Sequence, residues 1–168
     1  RDDLARRSAG KRLKMLNIGP PRDVGVYAGL PIDLVDMREA DVALCTGPNN
    51  DEAETPDDYA GLFSAMKARN LPMLCANPDI VVERGNKLIW CAGALAREYE
   101  KIGGPVVYYG KPHKPIYDAV YAAALTARGH AIARPLAIGD GADTDIKGAN
   151  RMGIDALFIA QGVHEIGR

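Results

Sequence analysis

Short apolar runs alternate with amphipathic stretches along nearly the whole chain, and this alternation restricts the fold more than any other feature. The runs lie at Leu13–Ile18, Ile32–Val35, Asp41–Thr46, Pro72–Ala76, Pro105–Gly110, 136–139 and 155–160. Between them, Tyr59, Leu62, Phe63 and Met66 recur at helical spacing. So do Ala92, Leu95, Ala96, Tyr99 and Ile102, and then Ile116, Val120, Tyr121 and Leu125, each set expected to face inward. A shorter helix is expected over Val24–Leu30, and a hairpin around Arg84–Asn86. Strands separated by helices build βαβ units, so the fold class is α/β with a mostly parallel sheet. Pro56, Asp57 and Asp58 suit the positive end of the helix that follows them, and Gly103-Gly104 stops the next one.

A chain of 168 residues suits one mid-sized domain or two small ones. Its formal net charge of −1 provides no field that would attract nucleic acid or an anionic membrane. The basic opening, from Arg1 to Lys14, is mixed with Asp2 and Asp3 and reads as a solvated helix face. No apolar run approaches the roughly 20 residues of a membrane span. Cys45, Cys75 and Cys91 stand far apart with no CxxC, which predicts reduced, buried thiols and a cytoplasmic location. Trp90 and Cys91, beside the hairpin, are expected to be buried.

The chemistry concentrates in "LAIGDGADTDIKGANRMGIDALFI", residues 136–159. Asp140, Asp143 and Asp145 share one turn, where like charges raise one another's pKa unless a cation compensates. Asp140 directly follows an apolar run, and ligands of parallel sheets bind beyond the carboxyl ends of the strands. Gly139 and Gly141 are expected to let the backbone turn tightly. A hard dication such as Mg²⁺ suits this oxygen-rich turn. The plain alternative makes Asp143 or Thr144 a helix N-cap in a solvated turn. Lys111 stands just after another apolar run, in "YGKPHKP", and is expected on the same edge as Asp140, emerging from a neighbouring strand. A lysine there can hold a phosphate and balance the carboxylates. His113 lies near Lys111. None of the three histidines has a partner at metal spacing, so zinc is not expected.

In their order, "CANPD" (75–79), "AGALA" (92–96), "YGKPHKPIY" (109–117), "AIGDGADTDIKGANRMGID" (137–155) and "QGVHE" (161–165) resemble the haloacid dehalogenase (HAD) superfamily of phosphohydrolases. The nearer likeness is to its class IIA branch, with p-nitrophenyl, phosphoglycolate and pyridoxal phosphatases. The resemblance implies a HAD-like parallel sheet, the carboxyl-terminal half of a Rossmann-like core over 105–168, preceded by most of an α/β cap over 1–104. It implies that Lys111 binds the transferring phosphate, that Asp140 ligates Mg²⁺, and that Asp145 supports the lysine and the metal's waters. Gly141, Ala142, Asp143 and Thr144 would lie against substrate. Asn77 and Asp79 would face it from the cap, although an Asn-Pro-Asp turn held by its own hydrogen bonds reads equally well. The partner implied is a small phosphorylated substrate, and a homodimer through the cap is left open.

One departure is large. Family members attack phosphate with the first Asp of a DxD placed after the first core strand. The only DxD in this chain is Asp143-Thr144-Asp145, which occupies another position. The expectation is therefore a carboxyl-terminal piece of a Mg²⁺-dependent phosphate monoester hydrolase that works through an aspartyl-phosphate. Two rivals are a non-catalytic Mg²⁺- or phosphate-binding module and an interaction protein that kept the fold. Since losing the nucleophile removes the covalent route, the 168-residue chain alone is expected to show negligible turnover of p-nitrophenyl phosphate. Measurable hydrolysis by the pure chain in a colorimetric assay would refute this.

Overall fold

The computed structural model describes residues 2–8 and 10–160. The segment "QGVHE" and His164 lie outside the described residues. The chain divides into two compact units, 1–108 and 109–168.

The first unit opens with α1 (Asp2–Ser8), β1 (Leu13–Ile18) and a 3-10 turn (Pro21–Val26). β2 (Ile32–Leu34) and β3 (Val42–Cys45) follow. A second 3-10 turn (Pro56–Tyr59) runs into α2 (Ala60–Ala68), and then comes β4 (Met73–Cys75). The hairpin of β5 (Val81–Arg84) and β6 (Lys87–Trp90) precedes α3 (Ala92–Lys101) and β7 (Val106–Tyr108). Five strands form one parallel sheet in the order β2-β1-β3-β4-β7. Every residue of β3 and β4 is buried, which explains their unbroken apolar sequence: a parallel sheet is covered on both faces.

Register places Ile18, Cys45 and Cys75 side by side, next to the row Ala43 and Met73. These pack with Phe63 and Met66 of α2 and with Leu95 and Tyr99 of α3. The helix periodicity seen in the sequence is thus the inward face of α2 and α3, except for Ile102, which lies past the end of α3 and is exposed. Tyr99 is fully buried, and its hydroxyl donates to the Leu71 carbonyl at 2.8 Å. Gly104 leaves room for that ring, since a Cβ there would stand 2.4 Å from it. The entry to α2 is fixed by Thr55, whose amide donates to the Asp58 carboxylate at 2.7 Å.

Three expectations change here. Residues 106–108 pair with β4, so they sit in the first unit instead of opening the second. Trp90 is 37% exposed, because the two-residue period of β6 turns Ile89 inward and Leu88 and Trp90 outward. Cys91 is buried, as expected. The segment after Gly19 is a 3-10 turn over Pro21–Val26, earlier than the helix expected from Val24.

The second unit contains α4 (Lys114–Arg128), β8 (Leu136–Gly139), a π-helical turn (Ala142–Ile146), α5 (Lys147–Met152) and β9 (Asp155–Phe158). β8 and β9 pair in parallel. The apolar stripe of α4 was expected to face inward, yet Ile116, Val120 and Leu125 are exposed. Two four-residue strands offer too little surface to cover a helix of 15 residues.

Polar ties also shape the first unit. Asp51, in the loop after β3, accepts hydrogen bonds from Arg22 and from Arg84, the latter at 3.0 Å. Burial alone would raise its pKa, but the two guanidinium bonds and their charges outweigh burial and hold the carboxyl below its ordinary range. Its contribution to stability is therefore complete above the unfolded pKa, about 3.9, and is lost as pH falls through the lower folded value. Asp51→Asn is expected to flatten the acid limb of stability between about pH 5 and pH 2. Urea unfolding as a function of pH checks this, and parallel acid limbs for the two proteins would contradict it.

Candidate active site

Asp145 follows β8 by six residues, in the middle of the π-helical turn. That turn is tied back to Gly141, whose carbonyl accepts from the amides of Asp145 at 2.8 Å and Ile146 at 3.1 Å. The Asp145 carboxylate is directed under the strand end, where its side chain is 10% exposed. One oxygen accepts from the Lys111 ammonium at 2.5 Å, and the other from the Gly141 amide at 3.1 Å. The backbone of Asp140 donates to it as well. Burial would raise the pKa of Asp145, but the Lys111 bond, the amides and the lysine charge together bring it below the ordinary carboxylate range.

Glycines shape this pocket by being small. A Cβ on Gly139 would stand 2.1 Å from the Asp145 carboxyl carbon, and one on Gly141 would stand 2.1 Å from Thr144 Oγ1. Neither residue has a positive φ, so the expectation of tight-turn glycines is corrected: they make room for two side chains. Gly148 does the same for Tyr117, whose hydroxyl would lie 1.9 Å from an added Cβ. Sequence reasoning missed Tyr117. Its phenol is raised in pKa first by burial and then by the Asp145 charge, with Lys111 acting oppositely, which puts the ring beside the pair. Its only sequence signal is its place in "YGKPHKPIY", one helical turn past Lys114.

Of the residues singled out by sequence, the structure brings together Lys111, Asp145, Gly141, Thr144 and the backbone of Asp140. Lys111 and Asp140 do not leave neighbouring strands, because β7 is paired with β4 and β8 with β9. The link runs through Asp145 instead. Ala142 is exposed, and the Asp143 side chain is 96% exposed with Lys147 at 3.6 Å. The His113 amide donates to the Gly110 carbonyl at 2.9 Å, just ahead of α4. Asn77 and Asp79 belong to the first unit, where the Asp79 amide donates to Asn77 Oδ1 at 3.1 Å, the hydrogen bond of an Asx turn.

The donor chemistry can be tested against a metal ion. Asp145 has both oxygens committed to donors. Asp140, half-buried at the end of β8, offers hard carboxylate oxygens. No group of three or more His, Cys, Asp or Glu converges on one point among the described residues. A carboxylate at the strand end suits a hard dication that takes one or two carboxylates and keeps several waters. The described residues do not form an all-protein cage.

Residues 108–168 match the HAD-hydrolase-like family. A haloacid dehalogenase-like hydrolase from Brucella suis is 48% identical, with a TM-score of 0.84 over 97% of this chain and 62% of its own. Over nearly its whole length the chain is similar to a haloacid dehalogenase-like hydrolase, and its last third matches the HAD-hydrolase-like family. It spans less than two thirds of that relative's length. A p-nitrophenyl phosphatase from Archaeoglobus fulgidus is 19% identical with a TM-score of 0.69, covering 94% of this chain and 57% of its own. A glycerol phosphate phosphatase from Mycobacterium tuberculosis, in complex with calcium, is 22% identical with a TM-score of 0.65, covering 96% and 47%. These two share the fold. None of the curated proteins compared with the chain matches at a significant level.

The lysine–aspartate pair depends on a missing side chain at 139. Gly139→Ala is expected to push the Asp145 carboxylate off Lys111 and to cost about 1–3 kcal/mol, the range for overpacking. Chemical denaturation read from tryptophan-independent far-UV signals measures the cost, and a variant as stable as the parent would contradict the steric account.

Proposed function

We propose that this chain supplies the lysine and metal-binding half of a Mg²⁺-dependent phosphate monoester hydrolase. The observation that supports it most is the Lys111–Asp145 pair at 2.5 Å, with Asp140 on the same turn. Lys111 keeps 54% of its side chain exposed while one donor is fixed on Asp145. A fixed, half-exposed ammonium is a compact positive charge that can meet phosphoryl oxygens. Asp145 keeps that ammonium charged and aimed. Asp140 would hold the Mg²⁺, which when bound supplies positive charge to the phosphoryl oxygens. Exposed Ala142 and Asp143, with half-buried Thr144 and buried Gly141 behind them, would line the substrate.

In this reading the protein is class IIA. The first unit, 1–108, is most of the cap, and 109–168 is the second half of the catalytic core. The reaction runs through an aspartyl-phosphate on a nucleophile outside the motifs of this chain. Substrates are small phosphorylated metabolites, and the compartment is the cytoplasm. No helix among the described residues is long and apolar enough to cross a membrane. A homodimer through the cap is part of the same proposal.

Residue-resolved NMR of the chain tests the half-site. Inorganic phosphate is expected to shift the amides of Gly141 and Thr144 with a saturable midpoint, and Lys111→Ala to weaken that midpoint about tenfold, a loss of about 1.4 kcal/mol. Phosphate shifts at those amides that survive Lys111→Ala unchanged would overturn the assignment.

A further inference from the structure

The first unit carries a second cluster of charge, and it is independent of Lys111. Its sheet order, β2-β1-β3-β4-β7, has the form of a doubly wound sheet in which the chain leaves β1 toward one edge and later builds toward the other. The reversal falls between β1 and β3. In such sheets the crevice outside the carboxyl ends of the strands, at the reversal, is where ligands bind.

The residues just past those two strand ends meet across the reversal. The Gly19 amide, after β1, donates to Asn49 Oδ1, after β3, at 2.9 Å. Gly19 also lies so close to Thr46 that an added Cβ would stand 1.9 Å from Thr46 Oγ1. On the same two loops, three residues past Gly19 and two past Asn49, Arg22 and Asp51 meet, and Arg84 donates to the same oxygen, Asp51 Oδ2. The carboxylate is 9% exposed, whereas the two arginines are 55% and 53% exposed. The acid is inside and the cations face outward.

A tie between the hairpin and the loop would need one guanidinium. The second adds like-charge repulsion at short range and leaves the cluster with a net charge of about +1 from two arginines and one aspartate. Each guanidinium has five N–H donors, and only part of that set is used on Asp51. Two guanidinium groups that share one carboxylate oxygen and stay more than half exposed can meet the oxygens of a phosphate or carboxylate. At the reversal itself, Thr46 Oγ1, beside Gly19, is buried without a hydrogen-bond partner among the described residues. Buried polar atoms are ordinarily paired.

We propose that Arg22 and Arg84, clamped by Asp51 at the β1/β3 reversal, form a second anion site that takes the phosphate or carboxylate group of a small molecule. Asp51 is a positioning residue in this site, and the arginines make the contact. The site uses first-unit residues alone and stands whether or not the hydrolase reading holds.

The test uses the unaltered 168-residue chain, because the arginine side-chain signals report this site separately from phosphate bound near Lys111. Inorganic phosphate and malonate are titrated separately at low ionic strength, and the side-chain Nε–Hε signals of Arg22 and Arg84 are followed by NMR. Saturable shifts of both arginines are expected with at least one anion. Response to phosphate alone assigns a phosphorylated ligand, response to malonate alone a carboxylated one, and response to both a general oxyanion site. Arg84→Gln and, separately, Arg22→Gln are expected to weaken the midpoint about tenfold. Arg84→Lys, which keeps the charge without the fork, should fall between parent and Arg84→Gln. Melting curves identify any variant that fails to fold, in which case the other arginine decides. No saturable shift at either arginine, or an unchanged midpoint in a folded glutamine variant, overturns the proposal.

Discussion

A carboxylate that is nine-tenths enclosed needs a compensating charge, and in the second unit Lys111 supplies it to Asp145. Much of the local structure serves this contact. The strand β8 ends in glycine because the carboxylate occupies the space a side chain would need. The turn after it widens to a π-helical turn, which brings Asp145 back beneath Gly141 and Asp140 so that their amides cover its other face. Removing the lysine would leave an unpaired buried charge, among the more costly defects a fold can carry. The stability of this turn is thus drawn from one ion pair.

The first unit solves a different problem. Its sheet has both faces covered, and the tight rows of Ile18, Cys45 and Cys75 against Phe63, Leu95 and Tyr99 hold the strand ends in fixed positions. Loops leaving a rigid sheet edge can then carry charge in defined geometry. Arg22, Asp51 and Arg84 are an instance: three residues far apart in sequence, gathered where two strands end. The arginine pair and the lysine pair share one device, an inward carboxylate that fixes an outward cation.

The parallel sheet was legible because β3 and β4 are continuous apolar runs and α2 and α3 keep a clean helical stripe. The same stripe misled for α4, where Ile116, Val120 and Leu125 have the spacing of a buried face but no described surface wide enough to cover them. Periodicity reports which side of a helix is apolar, not what lies against it. Lys111, Asp140 and Asp145 were legible from motif order. The route joining them was not, since strand pairing is a long-range choice that local sequence does not encode. Tyr117, Gly139 and Gly148 act through close steric fit, which has no pattern in one dimension. Arg22 and Arg84 look like ordinary surface arginines until the fold brings them to one oxygen.

The three thiols offer a practical consequence. Cys45 and Cys75 are direct partners on adjacent strands, and burial raises the pKa of both, that of Cys75 up to about 12; burial raises Cys91 too. A thiol that stays protonated reacts slowly with alkylating reagents. Each of these sulfurs becomes a stopwatch on the sheet that hides it: the pace at which it is tagged follows the opening of that sheet, and no probe has to be engineered into the chain to read it.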